Sequence, residues 1–213
     1  MLTPEFRDRS RDVIASTGSR LGQILHVSTD LRLVNPNDID DLVKLDEACF
    51  EDLYYDADEF RNELSIPSSY GIVLCTAPGT VYGGKRVPLI GSDKRVLIAY
   101  VMGHEDNDGP APLRPIAELS GKGAYIVSFA VHPKIQKRGI GIGLMACFEE
   151  LSRMQAMNYL RLHTRTADNP ESNGAYQAFR KMGFDLTGTL KDHYDKGDDA
   201  CEVVKQLGQS AAR

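Results

Sequence analysis

No stretch of the 213-residue chain approaches the ~20 consecutive apolar residues that a membrane-spanning helix needs, so no such helix is expected. The opening segment, MLTPEFRDRSRDVIASTG, lacks the apolar centre of a secretory signal. It carries the Arg and Ser of an organelle transit peptide, but Glu5, Asp8 and Asp12 count against that reading and a cytoplasmic location is expected. Positive charge is in deficit. With 25 Lys and Arg against 30 Asp and Glu, the formal net charge is −5, whereas binding to a phosphate backbone wants a basic surface; nucleic acid is not expected as a partner. Cysteine is sparse and scattered: Cys49, Cys75, Cys147 and Cys201 show no paired metal-ligand spacing. Thiols in apolar runs behave as small hydrophobes, so reduced, structural cysteines and no metal are expected. There is no internal repeat, and a 42% hydrophobic content suits one ordinary core.

What is present has a clear organisation. Residues 1–28 read as an extension in which Phe6, Val13, Ile14, Leu21, Ile24 and Leu25 could line one helical stripe, weakened by Gly18 and Gly22. Residues 29–208 read as the domain and 209–213 as a tail. Within the domain, LRLV is a short strand that stops at Asn35-Pro36, and NDIDDLVKLDEACF and DADEFRNELS are helices, the first with acids near its start. YGIVLCTA, RVLIAYVMGHE, AYIVSFAV and YLRLHTRT are strands; RGIGIGLMACFEELSRMQ and SNGAYQAFRKMG are helices; DLTGTLKDHY and ACEVVKQL form a closing pair of strands. Residues 79–94 and 107–121 are long, turn-rich loops, a length usually tied to function or mobility. Strands alternating with helices in the centre, with hairpins at the end, predict an α/β (α+β) fold around a mixed sheet.

Between one strand and the following helix lies QKRGIGIG, a basic segment with glycines at positions 139, 141 and 143. A helix N-terminus presents unpaired main-chain N–H groups and the positive end of the helix dipole, and so attracts anions. Gly139, Gly141 and Gly143 would clear the approach, with Lys137 and Arg138 adding charge, which makes a pocket for a phosphate group such as a pyrophosphate. A P-loop would need Lys-Ser/Thr after the last glycine, but Leu144 and Met145 stand there. A dinucleotide-binding turn would come early in a βαβ unit, and this one comes late.

Gln136-Lys137-Arg138-Gly139-Ile140-Gly141 resembles the Gln/Arg-x-x-Gly-x-Gly/Ala signature of the GNAT acetyltransferase superfamily, and the order of elements over residues 31–207 is similar. The resemblance implies a mixed sheet of about seven strands flanked by helices, with a V-shaped split at the acetyl-CoA site. It also implies a coenzyme held by Phe129, Ala130, Val131, Gln136, Lys137, Arg138, Gly139, Ile140, Gly141, Gly143 and Leu144, with Tyr176 and Phe179 from the later helix. A further coenzyme-contacting Asn falls on Asn169 or Asn173, strict register placing Ser172 there. Where the family's helix usually carries a Tyr beside the coenzyme sulfur, this chain has Phe179, which cannot protonate a departing thiolate; Tyr176 lies one turn earlier on roughly the same face.

AYIVSFAVHP, YLRLHTRTADN and HYDKGDDACEVVKQL resemble segments of the N-terminal (N-alpha) acetyltransferase branch, which includes the ribosomal-protein acetyltransferases. CFEDLYYDADEF is similar to that branch's first substrate loop, with Phe50 and Tyr54 matching and Glu51 replacing a proline. The resemblance implies a catalytic pair at Tyr125 and His163, with Phe50, Tyr54, Tyr125, His193 and Tyr194 around the acceptor. The chemistry suits histidine. An α-amine with a pKa of about 8 is mostly protonated at neutral pH, and only its neutral form attacks a thioester, so a base titrating near neutrality is useful. Tyr125, titrating near ~10, would position the amine or a water. His132 reads as a surface residue, and His104 and His193 have no evident partner. The expected activity is acetyl-CoA-dependent N-acetylation of protein or peptide N-termini by direct transfer, from a monomer or homodimer. Two alternatives stand: acetylation of a small amine (polyamine, amino acid or antibiotic), or a catalytically impaired acetyl-CoA-binding protein.

Overall fold

The computed structural model describes residues 3–50, 53–82, 85–86, 95–113, 119, 121–165 and 174–208. In chain order the elements are α1 (Pro4–Leu25), β1 (Thr29–Leu33), α2 (Ile39–Phe50), α3 (Ala57–Ser65), β2 (Tyr70–Thr76), β3 (Val81–Tyr82) and β4 (Lys85–Arg86). Then follow β5 (Val96–Glu105), β6 (Gly123–Val131), α4 (Ile140–Met154), β7 (Tyr159–Arg165), α5 (Gly174–Lys181), β8 (Asp185–Asp195) and β9 (Asp198–Gln206). Main-chain hydrogen bonds order seven strands β1-β2-β5-β6-β7-β9-β8 in an open sheet. The sheet is mixed: β6 and β7 run parallel, while β1–β2, β2–β5, β7–β9 and β8–β9 are antiparallel. This is the expected α/β architecture. The loop at 79–94 contains the small antiparallel β3–β4 pair; its residues 83–84 and 87–94, and 114–118 and 120 of the second long loop, lie outside the described residues.

The chain forms two compact units. The first is Met1–Gly103 with Ser128–Leu151. Its α1 starts on Thr3, whose hydroxyl accepts the Phe6 N–H at 3.2 Å, with Pro4 preset for the first turn. Phe6, Ser10, Ile14, Thr17, Leu21 and Leu25, spaced three or four apart, form its buried face. Its end is set by His26 in the left-handed region (φ 55), which lets the Val27 N–H return to the Gly22 carbonyl at 3.1 Å. Asp56 caps α3 in a reciprocal box with Glu59. β2 is buried throughout, and Tyr70 stacks on Phe148 of α4 with centroids 4.7 Å apart. A buried carboxylate, Asp46 of α2, accepts the Tyr100 hydroxyl, the Ser128 hydroxyl at 3.2 Å and the Tyr55 N–H at 2.7 Å.

The second unit is His104–Val127 with Ser152–Arg213. Its frame is β7 between the start of β6 and β9, with Tyr125 opposite Arg161 and His163 opposite Glu202. Side chains alternate across a strand, so Tyr159, Arg161 and His163 share one face of β7 while Leu160 and Leu162 take the other. That single register decides which polar groups meet.

Candidate active site

In the first unit, β6 ends in a 3₁₀ turn, Pro133–Ile135, capped by His132, whose Nδ1 accepts the Lys134 N–H at 3.2 Å. His132 is not a surface residue as the sequence suggested: it is buried, its main-chain N–H donates to Ile98 O at 2.9 Å, and burial and Lys134 lower its pKa. A histidine before a proline looks exposed in sequence, but here its ring serves as the cap. Beyond it, Lys137 (φ 62) and Gly139 (φ 83) both adopt left-handed backbone, and α4 begins at Ile140. A Cβ at Gly139 would meet nothing within 4 Å, so the first-turn amides can be approached closely. Lys137 and Arg138 are exposed beside them. The turn therefore fits a diphosphate, with the amides around Ile140 and Gly141 as its holders.

Other residues of the signature hold the turn itself. The Gln136 side-chain amide donates to Val131 O at 2.9 Å, an oxygen the Cys49 thiol also approaches at 3.6 Å. Phe129 and Val131 are half-buried, and Ala130 is buried. Gly143 and Leu144 do a different job from the one their position in the signature suggests. The Gly143 N–H already donates to Gly139 O at 3.0 Å, and a Cβ there would lie 2.7 Å from Leu21 Cδ2 of α1. Leu144 is fully buried in the core. Ile140 also buries its side chain, but at the first helical position its amide has no intrahelical acceptor.

In the second unit, the Tyr125 hydroxyl lies 3.3 Å from His163 Nδ1, and the rings meet edge-on at 5.4 Å. Both residues were singled out in the sequence, and adjacent strands bring them together. Behind them is a charged cluster that the sequence reading missed. Arg161 donates through Nε and Nη2 to Asp106, through Nη2 to Pro110 O, and through Nη1 to Glu202 Oε2 at 3.0 Å; its guanidinium also lies over the Tyr125 ring at 4.8 Å. Asp106 also accepts the Tyr159 hydroxyl at 2.8 Å. Glu202 Oε2 stands 3.4 Å from His163 Nε2, and the carboxylate takes the Thr187 hydroxyl at 2.7 Å and the Leu113 N–H at 3.0 Å. Burial acts to raise the Glu202 pKa, but hydrogen bonds from His163, Thr187 and Leu113 and the charge of Arg161 outweigh it, holding the carboxyl down at about 2. The side chains of Arg161 and Glu202 are wholly buried, and that of His163 is 2% exposed. The detectable signal was an opposite charge in each of two apolar strand runs, YLRLH and ACEVV.

His193 of β8 sets its ring edge-on to His163 at 4.8 Å and to Tyr194 at 4.8 Å, so it has the partner the sequence did not reveal. Burial and His163 lower its pKa, while burial and Asp198 push Tyr194 up to about 12. His104, buried, places Nδ1 2.8 Å from Glu105 O and its ring 5.8 Å from that of Tyr125. In the first unit, Phe50 at the end of α2 and Tyr54 just beyond it are exposed. Tyr176 and Phe179 lie on the buried face of α5, where Phe179 meets Phe184 edge-on at 5.6 Å. Asn169, Asn173 and Ser172 lie outside the described residues. All four thiols are free, and burial raises Cys49 to about 12 and Cys147 to about 11, which suits packing and not nucleophilic attack.

The profile of the acetyltransferase (GNAT) family matches residues 39–184. No curated protein matches the chain in sequence. Among solved structures, it is similar to NAA60 of Arabidopsis thaliana in complex with a bisubstrate analogue, at 19% identity and TM-score 0.63 over 85% of this chain and 99% of that one. Ard1 from Thermoplasma volcanium is similar at 21% identity and TM-score 0.59, again over 85% and 99% of the two chains. An aminoglycoside 6'-N-acetyltransferase complexed with coenzyme A gives 14% identity and TM-score 0.59 over 86% and 99%.

Proposed function

The chain belongs to the acetyltransferase (GNAT) family, and from that premise we propose that it transfers the acetyl group of acetyl-CoA to the α-amine of protein or peptide N-termini, in the cytoplasm. The observation that carries the acceptor chemistry is the Tyr125 hydroxyl at 3.3 Å from His163 Nδ1. His163 is the general base and Tyr125 the group that faces the amine. The fold likeness to Ard1 and to NAA60 supports the N-terminal choice, and the likeness to the aminoglycoside enzyme defines the competing one.

The bound coenzyme supplies the acetyl thioester, with its diphosphate on the amides at the start of α4, charge-assisted by Lys137 and Arg138. An α-ammonium with a pKa of about 8 gives up a proton to Tyr125 and His163 and becomes nucleophilic. No acyl-enzyme is involved: burial holds the Cys49, Cys75 and Cys147 thiols far above neutrality. Phe179 cannot act as an acid; a thiolate with a pKa of about 8.5 leaves without one. The resemblance assigns Tyr194, His193, Phe50 and Tyr54 to the acceptor.

Thiol release from acetyl-CoA, followed with short peptides bearing a free α-amine, the same peptides blocked, peptides whose sole amine is a lysine, and polyamine and aminoglycoside controls, tests the reading. Turnover with free α-amines alone is expected. Turnover with the small amines and none with peptides assigns the alternative, and tight acetyl-CoA binding without turnover on any amine marks an inactive binder.

A further inference from the structure

The cluster behind His163 has a cost that packing does not explain. Arg161, Asp106 and Glu202 bury one positive and two negative charges, yet buried ion pairs are poor sources of stability and well-packed apolar residues commonly do as well. What the cluster does instead is define the environment of one imidazole. We propose that Glu202 is a positioning residue that keeps His163 able to accept a proton at Nδ1, by taking the Nε2–H on its own carboxylate, while Arg161, locked by Asp106, holds that carboxylate in place. The proposal rests on the reading of His163 as the base.

Four groups face the imidazole: Tyr125 from β6, Arg161 from its own strand, Glu202 from β9 and His193 from β8. Two tautomers compete. If Arg161 Nη1, 3.2 Å away, donated to Nε2, the proton would sit on Nδ1 and His163 could accept nothing from Tyr125. But Nη1 lies closer, at 3.0 Å, to Glu202 Oε2, and a lone pair on Nε2 would face that same carboxylate oxygen at 3.4 Å. With a proton on Nε2, both nitrogens donate to one carboxylate, which also holds Thr187 and Leu113. Nδ1 is then the acceptor, and the Tyr125 hydroxyl donates to it.

The proton balance follows. An amine proton passes to the Tyr125 oxygen as the tyrosine's own proton passes to Nδ1. The freed nitrogen lone pair forms the bond to the acetyl carbon, the sulfur departs as a thiolate with the electron pair of the broken carbon–sulfur bond, and the second ammonium-derived proton is lost from the new amide nitrogen to solvent. His163 is left as an imidazolium whose Nε2–H faces Glu202, the arrangement by which a buried carboxylate stabilises a general base.

Nitrogen-15 NMR of His163 in the intact protein tests the tautomer without any substrate. A protonated Nε2 with an unprotonated Nδ1 is expected, and the reverse pattern overturns the proposal. Glu202→Gln keeps the shape and removes the charge. We expect kcat to fall about 100-fold and the Nε2-protonated tautomer to lose its excess in the nitrogen-15 spectrum. Acetyl-CoA affinity should be unchanged, and Glu202→Asp should recover part of the rate. An unchanged tautomer with unchanged kcat in Glu202→Gln overturns the proposal. A His163→Ala variant with full kcat, by contrast, overturns the functional reading itself.

Discussion

At Gly139 the backbone sits at φ 83 with open space where a side chain would be, while at Gly143 the backbone is ordinary helix and the space is filled by Leu21. Alanine at the two sites therefore separates two tasks. Gly139→Ala forces an L-residue into the left-handed region, at roughly 1–2 kcal/mol, and puts a methyl group beside the amides proposed to receive the diphosphate; calorimetry should show acetyl-CoA binding several-fold more weakly. Gly143→Ala presses on Leu21 and should lower the melting temperature while leaving coenzyme affinity close to that of the parent. Equal effects on both quantities at both sites would contradict this division. The Glu202 carboxyl makes a separate prediction, about acid stability. Its folded pKa of about 2 lies below its ordinary 4.5, so its contribution is fully present above 4.5 and is lost as pH falls toward 2. Urea melts at about pH 6 and about pH 3 should therefore show the parent losing more stability on acidification than Glu202→Gln does.

Individual elements are tied down by side chains far apart in sequence. Asp46 on α2 joins Tyr100 of β5, Ser128 of β6 and the main chain at Tyr55, next to the exposed Tyr54. Burial raises its pKa against the hydrogen bonds from Tyr100, Tyr55 and Ser128. Asp46→Ala removes the acceptor shared by the Tyr100 and Ser128 hydroxyls, which lie 2.6 Å apart, and by the Tyr55 N–H, and chemical unfolding should register a loss of about 2–4 kcal/mol. Because the same carboxylate fixes the segment carrying Tyr54, the KM for the acceptor should rise more than that for acetyl-CoA. At this scale the sequence was readable where structure is local. Asn35-Pro36, the Asp56 box and the strand periodicities mark element ends, and the left-handed turn before α4 is announced by its glycines. It was unreadable where structure depends on register. Nothing in YLRLH says that Arg161 will meet a carboxylate 41 residues on and another 55 residues back, because only the pairing of β7 with β9 brings the first there. For the same reason Tyr125 and His163 were named as a pair from resemblance, not from spacing.

Taken as a whole, the molecule extends at both ends beyond residues 39–184, the span that the family profile matches. Outside that span lie α1, whose Leu21 fills the space at Gly143, and β9, which carries the acid behind His163. An enzyme trimmed to the common span would keep the signature turn and the Tyr125–His163 pair yet forfeit the props of both. The proposed turn and the proposed base thus each lean on a segment remote in sequence, the first helix for one and the last strand for the other.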